Sequence, residues 1–420
     1  MQIVRTARRV MGAAALGAAV TLPLALGAYG APEVDGGGGG GNPKPAPTAP
    51  HAGAESWGAN SVGQLGIGIA SQLDRPTPVT VHIPDGVRAV DGGLGHGLAL
   101  LTNGTVKSWG LNAEGELGQG FTSAADPFGN VPEPGSVAGL SGVKAIAAGY
   151  RHSLALLTNG TVVAWGDNDR GQLGDGTTED RNRPVPVTGL TGVKAVAAGQ
   201  SFSLALLANG TVKAWGDNNA GELGNGTTSD QPQPTPVDVV GLTGRKVTAI
   251  DSGSVHSLAL LANGTVVGWG SNEFGQLGTG VQTPFESTPV DATVLAGVKV
   301  RAVAAGDGYS LALLRRGTVK GWGVNASGEL GDGTFVSPRL QAVDTVGLTG
   351  VTAIAAGKNF ETPAGQSLAI SGNSVFAWGN NLSGEVGDGT QTNRNTPVAV
   401  RSGLAKPHSI AAAVNFSLAS

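Results

Sequence analysis

The chain has no cysteine, which removes disulfides, thiolate metal sites and a cysteine nucleophile together. It also lacks a basic surplus: 26 Lys and Arg stand against 30 Asp and Glu, a formal net charge of −4. Counterion release onto nucleic acid needs a basic surface, so the sequence predicts no nucleic-acid partner. Charged residues are scarce, at 13% against roughly 25% in ordinary proteins, and there are only 3 Tyr. Beyond residue 26 no apolar run is long enough to span a bilayer. No glycine-rich segment opens a helix, which removes a phosphate loop, and no Ser-His-Asp geometry can be justified. Glycine is what abounds, with 71 positions, roughly 17% where about 7% is usual. Tight turns and small side chains are therefore in heavy demand, and a hydrophobic content of 40% is enough to bury a core.

Residues 1–30 read as a signal peptide. Arg5, Arg8 and Arg9 precede an uncharged apolar run from Val10 to Leu26, and small residues Gly27, Ala28 and Gly30 follow. The expectation is a secreted protein cleaved near Ala28 or Gly30, exported by the Sec route or by the twin-arginine route that Arg8-Arg9 suggests. Retention as a membrane anchor is the rival reading, because the run approaches spanning length. Residues 31–53, with the run Gly36 to Gly41 and then Pro43, Pro45, Pro47 and Pro50, read as a Gly/Pro-rich linker.

Self-similarity organises the rest, 54–420. All seven tryptophans occur as Trp-Gly, at Trp57, Trp109, Trp165, Trp215, Trp269, Trp322 and Trp378, spaced 50 to 56 residues apart. Each unit holds four short apolar segments separated by turn residues, the pattern of a four-stranded propeller blade. The fold class expected is all-β: a seven-bladed β-propeller of four-stranded antiparallel blades. Asn-Gly pairs at Asn103-Gly104, Asn159-Gly160, Asn209-Gly210 and Asn263-Gly264 predict tight hairpins with type I′ turns rather than glycosylation sites. Small-residue segments such as Ala195-Val196-Ala197-Ala198-Gly199 predict inner strands crowded around the axis. Pro-bearing segments such as Thr77-Pro78-Val79 predict outer edge strands, where a missing N–H breaks no ladder.

Trp57 has no Ser-Leu-Ala-Leu strand before it, and Phe416-Ser417-Leu418-Ala419-Ser420 has no Trp after it. The sequence thus predicts that the C-terminal strand pairs with an N-terminal strand at Ala54 to Gly58, closing the ring and removing two exposed sheet edges. The seven equivalent tryptophans are expected in the core.

The unit Ile146-Ala147-Ala148-Gly149-Tyr150-Arg151-His152-Ser153-Leu154-Ala155-Leu156 and the Trp-Gly-x-Asn-x-x-Gly-Gln/Glu-Leu-Gly loop resemble the regulator of chromosome condensation repeat, over about residues 54–420. That resemblance implies a propeller. It is poorly specific for function: nuclear members act as nucleotide exchange factors for a small GTPase and bind chromatin, while secreted bacterial relatives include propeller inhibitors of β-lactamases.

Strand alternation places the long loop after Trp-Gly and the loop after the inner strand on one face, and the Asn-Gly hairpins on the other. The loop-rich face is the expected recognition surface, with candidate partner-binding residues Tyr150, Arg151, Arg170, Phe274, Phe128, Lys358, Phe360 and Glu361. His96, His152 and His256 share one repeat position and are expected to be structural, since equivalent positions lie too far apart around a ring to bind one metal. Asp167-Asn168-Asp169-Arg170-Gly171 departs from a calcium loop and predicts turn capping instead. Glu116, Glu222, Glu329 and Glu385 interchange with Gln64, Gln172 and Gln276, which argues against acid–base work. The reading is a monomeric, secreted, non-catalytic binding scaffold for a protein or cell-wall polymer, with no cofactor and no metal. The alternatives are a secreted glycan-acting enzyme, which would show two carboxylates converging in the axial funnel, and an exchange-factor-like regulator of a small GTPase.

Overall fold

The computed structural model describes residues 53–83, 86–123, 130–359 and 364–420, so the expected signal peptide and nearly all of the linker lie outside the described residues. Seven four-stranded antiparallel sheets follow one another. Blades one to six run 87–136, 143–186, 193–238, 247–291, 300–344 and 351–399. The seventh is built from both ends of the sequence, with strands Ile410–Ala412, Phe416–Ala419, Glu55–Gly58 and Arg75–Thr80 side by side. Its register pairs Glu55 with Ala419, Ser56 with Leu418, Trp57 with Ser417 and Gly58 with Phe416, as the unmatched segments predicted.

Strand chemistry follows position in the blade. The inner strands place a β-branched residue against the axis in every blade, Val90, Ile146, Val196, Ile250, Val303, Ile354 and Ile410, flanked by Ala or another small residue in most. Branched side chains keep a pleated strand extended while remaining narrow enough for seven to meet. Prolines fall in the outer strands, for example Pro76 and Pro78, or Pro184 and Pro186. The expected hairpins form, but their turns differ from type I′. That turn needs positive φ at both central residues, and among the described non-glycine residues only Asn415 has one. Instead Gly160 alone is left-handed, its N–H reaches Leu157 O, and Thr161 takes Asn159 Oδ1. This is the three-residue form, a right-handed turn closed by a left-handed glycine. The side chain of Asn is used as a turn acceptor, so Asn itself need not turn left-handed.

The cores lie between blades. Seven apolar clusters each join residues of one blade to the Trp of the next, such as Leu154, Leu156 and Leu173 with Trp215. All seven indoles are fully buried. Each indole N–H donates to the backbone carbonyl of the Gln or Glu in the preceding blade's loop: Trp109 to Gln64, Trp165 to Glu116, Trp215 to Gln172, Trp269 to Glu222, Trp322 to Gln276 and Trp378 to Glu329, at 2.7 to 2.9 Å. Trp57 to Glu385, 2.8 Å, closes the circle. The Gly after each Trp is required too: at Gly166 φ is +104° and an added Cβ would meet Arg151 O at 2.4 Å.

The Glu/Gln interchange has a physical meaning. Each side chain turns back to accept the N–H two residues earlier, as Gln64 does for Val62 and Glu116 for Glu114. One oxygen acceptor is all the turn requires, so amide and carboxyl are equivalent. The second oxygen of Glu116 and of Glu329 is buried without a hydrogen bond. Burial pushes the carboxyls of Glu116, Glu222, Glu329 and Glu385 up to about 7, as expected when a charge would be desolvated.

His96, His152 and His256 occupy one position of the blade. Each Nε2 meets a Ser Oγ of the following blade, Ser153, Ser203 and Ser310, at 2.9 to 3.1 Å. Burial pulls the imidazoles down, His96 to about 4 and His152 and His256 to about 3, so they remain neutral. Tyr309 plays the same part with its hydroxyl on Gln366 O, and Gln366 in turn donates to Ala413 O and Phe416 O.

Deleting Asn415 to Ser420 is expected to lower the melting temperature by more than about 10 °C or abolish cooperative unfolding, because it opens a sheet edge and unseats Trp57; calorimetry checks this, and an unchanged transition would refute closure. A carboxyl whose folded pKa is raised stabilises fully below its unfolded pKa and less as pH rises through the folded value. Glu116→Gln is therefore expected to gain about 1–3 kcal/mol near pH 8 and much less near pH 5, measured by urea titration at both values.

Candidate functional site

The propeller presents two faces of different chemistry. Loops after the inner strands and after Trp-Gly share one face, as expected from strand alternation, and the hairpins share the other.

On the loop-rich face the candidate residues divide. Tyr150 and Arg151 are half-buried, the guanidinium 5.9 Å over the phenol ring and 3.5 Å from Glu114. Arg170 donates to Asp230 O at 2.9 Å and lies 3.9 Å from Asp217. Phe274 is partly buried against the core that joins blades five and six. Lys358 turns into the axial channel, where its ammonium donates to Ala198 O at 2.6 Å across the ring. Phe128, Phe360 and Glu361 lie outside the described residues.

What sequence reading missed is an arc of exposed apolar side chains on the same loops. Leu73 (71% exposed), Phe121 (45%), Phe335 (50%), Val336 (56%) and Leu382 (69%) stand on blades seven, one, five and six, with Phe285 and Val281 on blade four. Blades two and three carry charge instead, with Asp167, Asp169, Arg170, Asp217 and Asp230. The signal lay in the variable positions after each Gly-Gln/Glu-Leu-Gly, where Ile69, Phe121, Val281 and Phe335 stand in loops that are polar in blades two, three and six.

Two carboxylates, Asp91 and Asp251, line the channel with Lys358. Asp91 accepts Ala148 N–H and Gly92 N–H, and Asp251 accepts Ala305 N–H, so each ties its strand to the next blade. Burial raises both pKa values, and the Lys358 charge opposes that rise. Asp307, in the loop after the inner strand of blade five, is pushed up to about 7 by burial. The three histidines do not converge, each facing a serine of its own neighbour blade. Asp167, Asp169 and Asp180 offer oxygens within 4.8 Å of one another. Asp167 caps Asp169 N–H and Asp180 caps Asn168 N–H, the turn-capping role expected of this loop.

The hairpin face is basic. At one repeat position, the second residue of the inner strand, stand Arg88, Lys144, Lys194 and Arg301, with Thr248 and Thr352 in two other blades. His408 falls at the same position in blade seven, two residues before Ile410 as Lys144 is before Ile146. Lys246, Lys299, Arg315, Arg316 and Lys406 add exposed cations nearby. Acids on this face are few: Asp238, Asp291 and Asp344 pair with Lys213, Arg245 and Lys320. A formal charge of −4 thus conceals two opposed surfaces. Among the described residues no helix is long and apolar enough to cross a membrane.

Comparison with known proteins places this geometry. The RCC1-like domain model matches residues 54–419. The ultraviolet-B receptor UVR8 of Arabidopsis thaliana is 32% identical over 283 residues, 67% of this chain and 63% of that protein. The probable E3 ubiquitin-protein ligase HERC6 of Homo sapiens is 35% identical over 70% of this chain but only 23% of its own length. The chain therefore spans less than two thirds of these relatives. Among solved structures, Prp20p of Saccharomyces cerevisiae superposes with a TM-score of 0.75 at 22% identity, covering 89% of this chain and 91% of that one. With seven blades, a repeated indole latch and a domain match over nearly all of the propeller, the chain belongs to the RCC1-like domain family.

Proposed function

We propose that this propeller is a secreted, non-catalytic scaffold that engages a protein through its loop-rich face. The observation that carries the reading is the apolar arc of Leu73, Phe121, Phe335, Val336 and Leu382, exposed on loops held by a rigid ring. Exposed aromatic and aliphatic side chains on a fixed frame are the material of interface hot spots, since little ordering entropy is lost on binding. The neighbouring acidic sector of blades two and three supplies orientation and partner selection. Prp20p is described by its binding to Gsp1p and histones, which supports protein recognition as a class of use for this fold.

The channel chemistry favours a scaffold over a glycan-acting enzyme. Asp91 and Asp251 both hold backbone N–H groups of adjacent blades and share a lysine counter-charge, so neither presents a free oxygen pair to a substrate. Export rests on Arg5, Arg8, Arg9 and the run Val10 to Leu26.

A photo-cross-linking amino acid at Phe335 or Phe121 is expected to capture a partner protein, and the same group at Lys194 on the hairpin face is not. Phe335→Ser is expected to weaken that partner about tenfold or more with an unchanged melting temperature, the loss of one buried aromatic anchor. Equal capture from both faces, or undiminished affinity of Phe335→Ser, would refute the assignment.

A further inference from the structure

We propose that the hairpin face docks on a lipid surface rich in anionic headgroups, leaving the loop-rich face turned outward. The inference concerns the face opposite the protein-binding surface, so the two can fail separately.

Two observations converge. First, the cations form a ring. Arg88, Lys144, Lys194 and Arg301 recur at one position around the axis, and Lys246 and Lys299 extend the ring to blade four and reinforce it at blade five. None of these six pairs with a carboxylate among the described residues, whereas the acids that share this face are taken up by Lys213, Arg245 and Lys320. A linear polyanion would cross one sector of such an annulus. A planar anionic surface meets all of it at once, which fits cations spread over five consecutive blades. Second, the opposite face carries more acid than base: Asp169, Glu179, Asp230 and Glu273 are exposed there, while Arg151 and Arg170 lie beside Glu114 and Asp217. The same field that draws one face to the surface repels the other, and this sets a single orientation.

The face is suited to a headgroup layer rather than to the acyl interior. Its large exposed apolar residues among those described are Val240 and Val346, with no exposed aromatic to insert. Docking is thus electrostatic and reversible, and falls as salt shortens the range of the attraction.

The test uses the full chain, so that the N-terminal segment is identical in every sample. Binding is measured by co-sedimentation with vesicles of phosphatidylcholine alone and with vesicles holding roughly 30% phosphatidylglycerol. The variant Arg88→Gln, Lys194→Gln, Lys246→Gln, Lys299→Gln changes only exposed side chains. A basic residue beside an anionic surface is worth about fivefold in affinity, so the variant is expected to lose about 100-fold or more on the anionic vesicles and nothing on the neutral ones. Wild-type binding to the anionic vesicles is expected to weaken on raising salt from about 0.1 M to about 0.5 M. Arg315→Gln, Arg316→Gln, Lys406→Gln is a second set at separate sites and is expected to lose anionic binding in proportion. Equal wild-type binding to both vesicles, or full anionic binding by both variants, would overturn the proposal. Tighter binding to a short DNA duplex than to the anionic vesicles at equal salt would overturn the lipid assignment in favour of nucleic acid.

Discussion

One hydrogen bond, repeated seven times, sets the terms for the rest of the molecule: an indole N–H of each blade on a backbone carbonyl of the blade before it. An indole buried in an apolar seam must satisfy its single donor. The carbonyl it finds sits at the Gln or Glu of a loop that is itself closed by that residue's side chain. In six interfaces a Ser hydroxyl of the following blade shares the same carbonyl, as Ser153 does at Glu116. Core packing, loop shape and strand position are thereby linked, and none can shift alone.

This linkage explains why so much polar chemistry in the repeat is structural. Neutral histidines, protonation-prone glutamates and channel aspartates would mark an active site in many folds. Here each bridges a blade boundary or fills a turn, and burial alone accounts for the direction of its titration. The positions that the latch leaves free are the loop tips and the hairpin rim, and the two proposed contacts lie there.

The ring, the blade count and the shared seventh blade were legible in the sequence because Trp-Gly repeats and unmatched end segments are topological statements. Turn type was not: Asn-Gly fits two hairpin geometries, and the choice depended on the Asn side chain taking the Thr161 N–H, a contact invisible in a dipeptide. Of the candidate site, what was legible is that the long loops share one face. Tyr150, Arg151, Arg170 and Phe274 are variable within the repeat, yet variability does not report exposure, and these residues are partly held by Glu114, Asp217 and neighbouring core side chains. Phe121 and Phe335 escaped notice since single hydrophobics in polar loops carry no pattern. The basic ring escaped notice for a different reason: a net charge sums over the surface, and summation erases a separation.

That separation gives the disc a permanent electric moment along its axis. Two copies meeting top to bottom attract, while top-to-top and bottom-to-bottom encounters repel, so close approach has a preferred sense. Such head-to-tail contact does not close on itself and would propagate into stacks. Salt at about 0.15 M shortens the reach of that field to about 8 Å and so weakens the head-to-tail attraction.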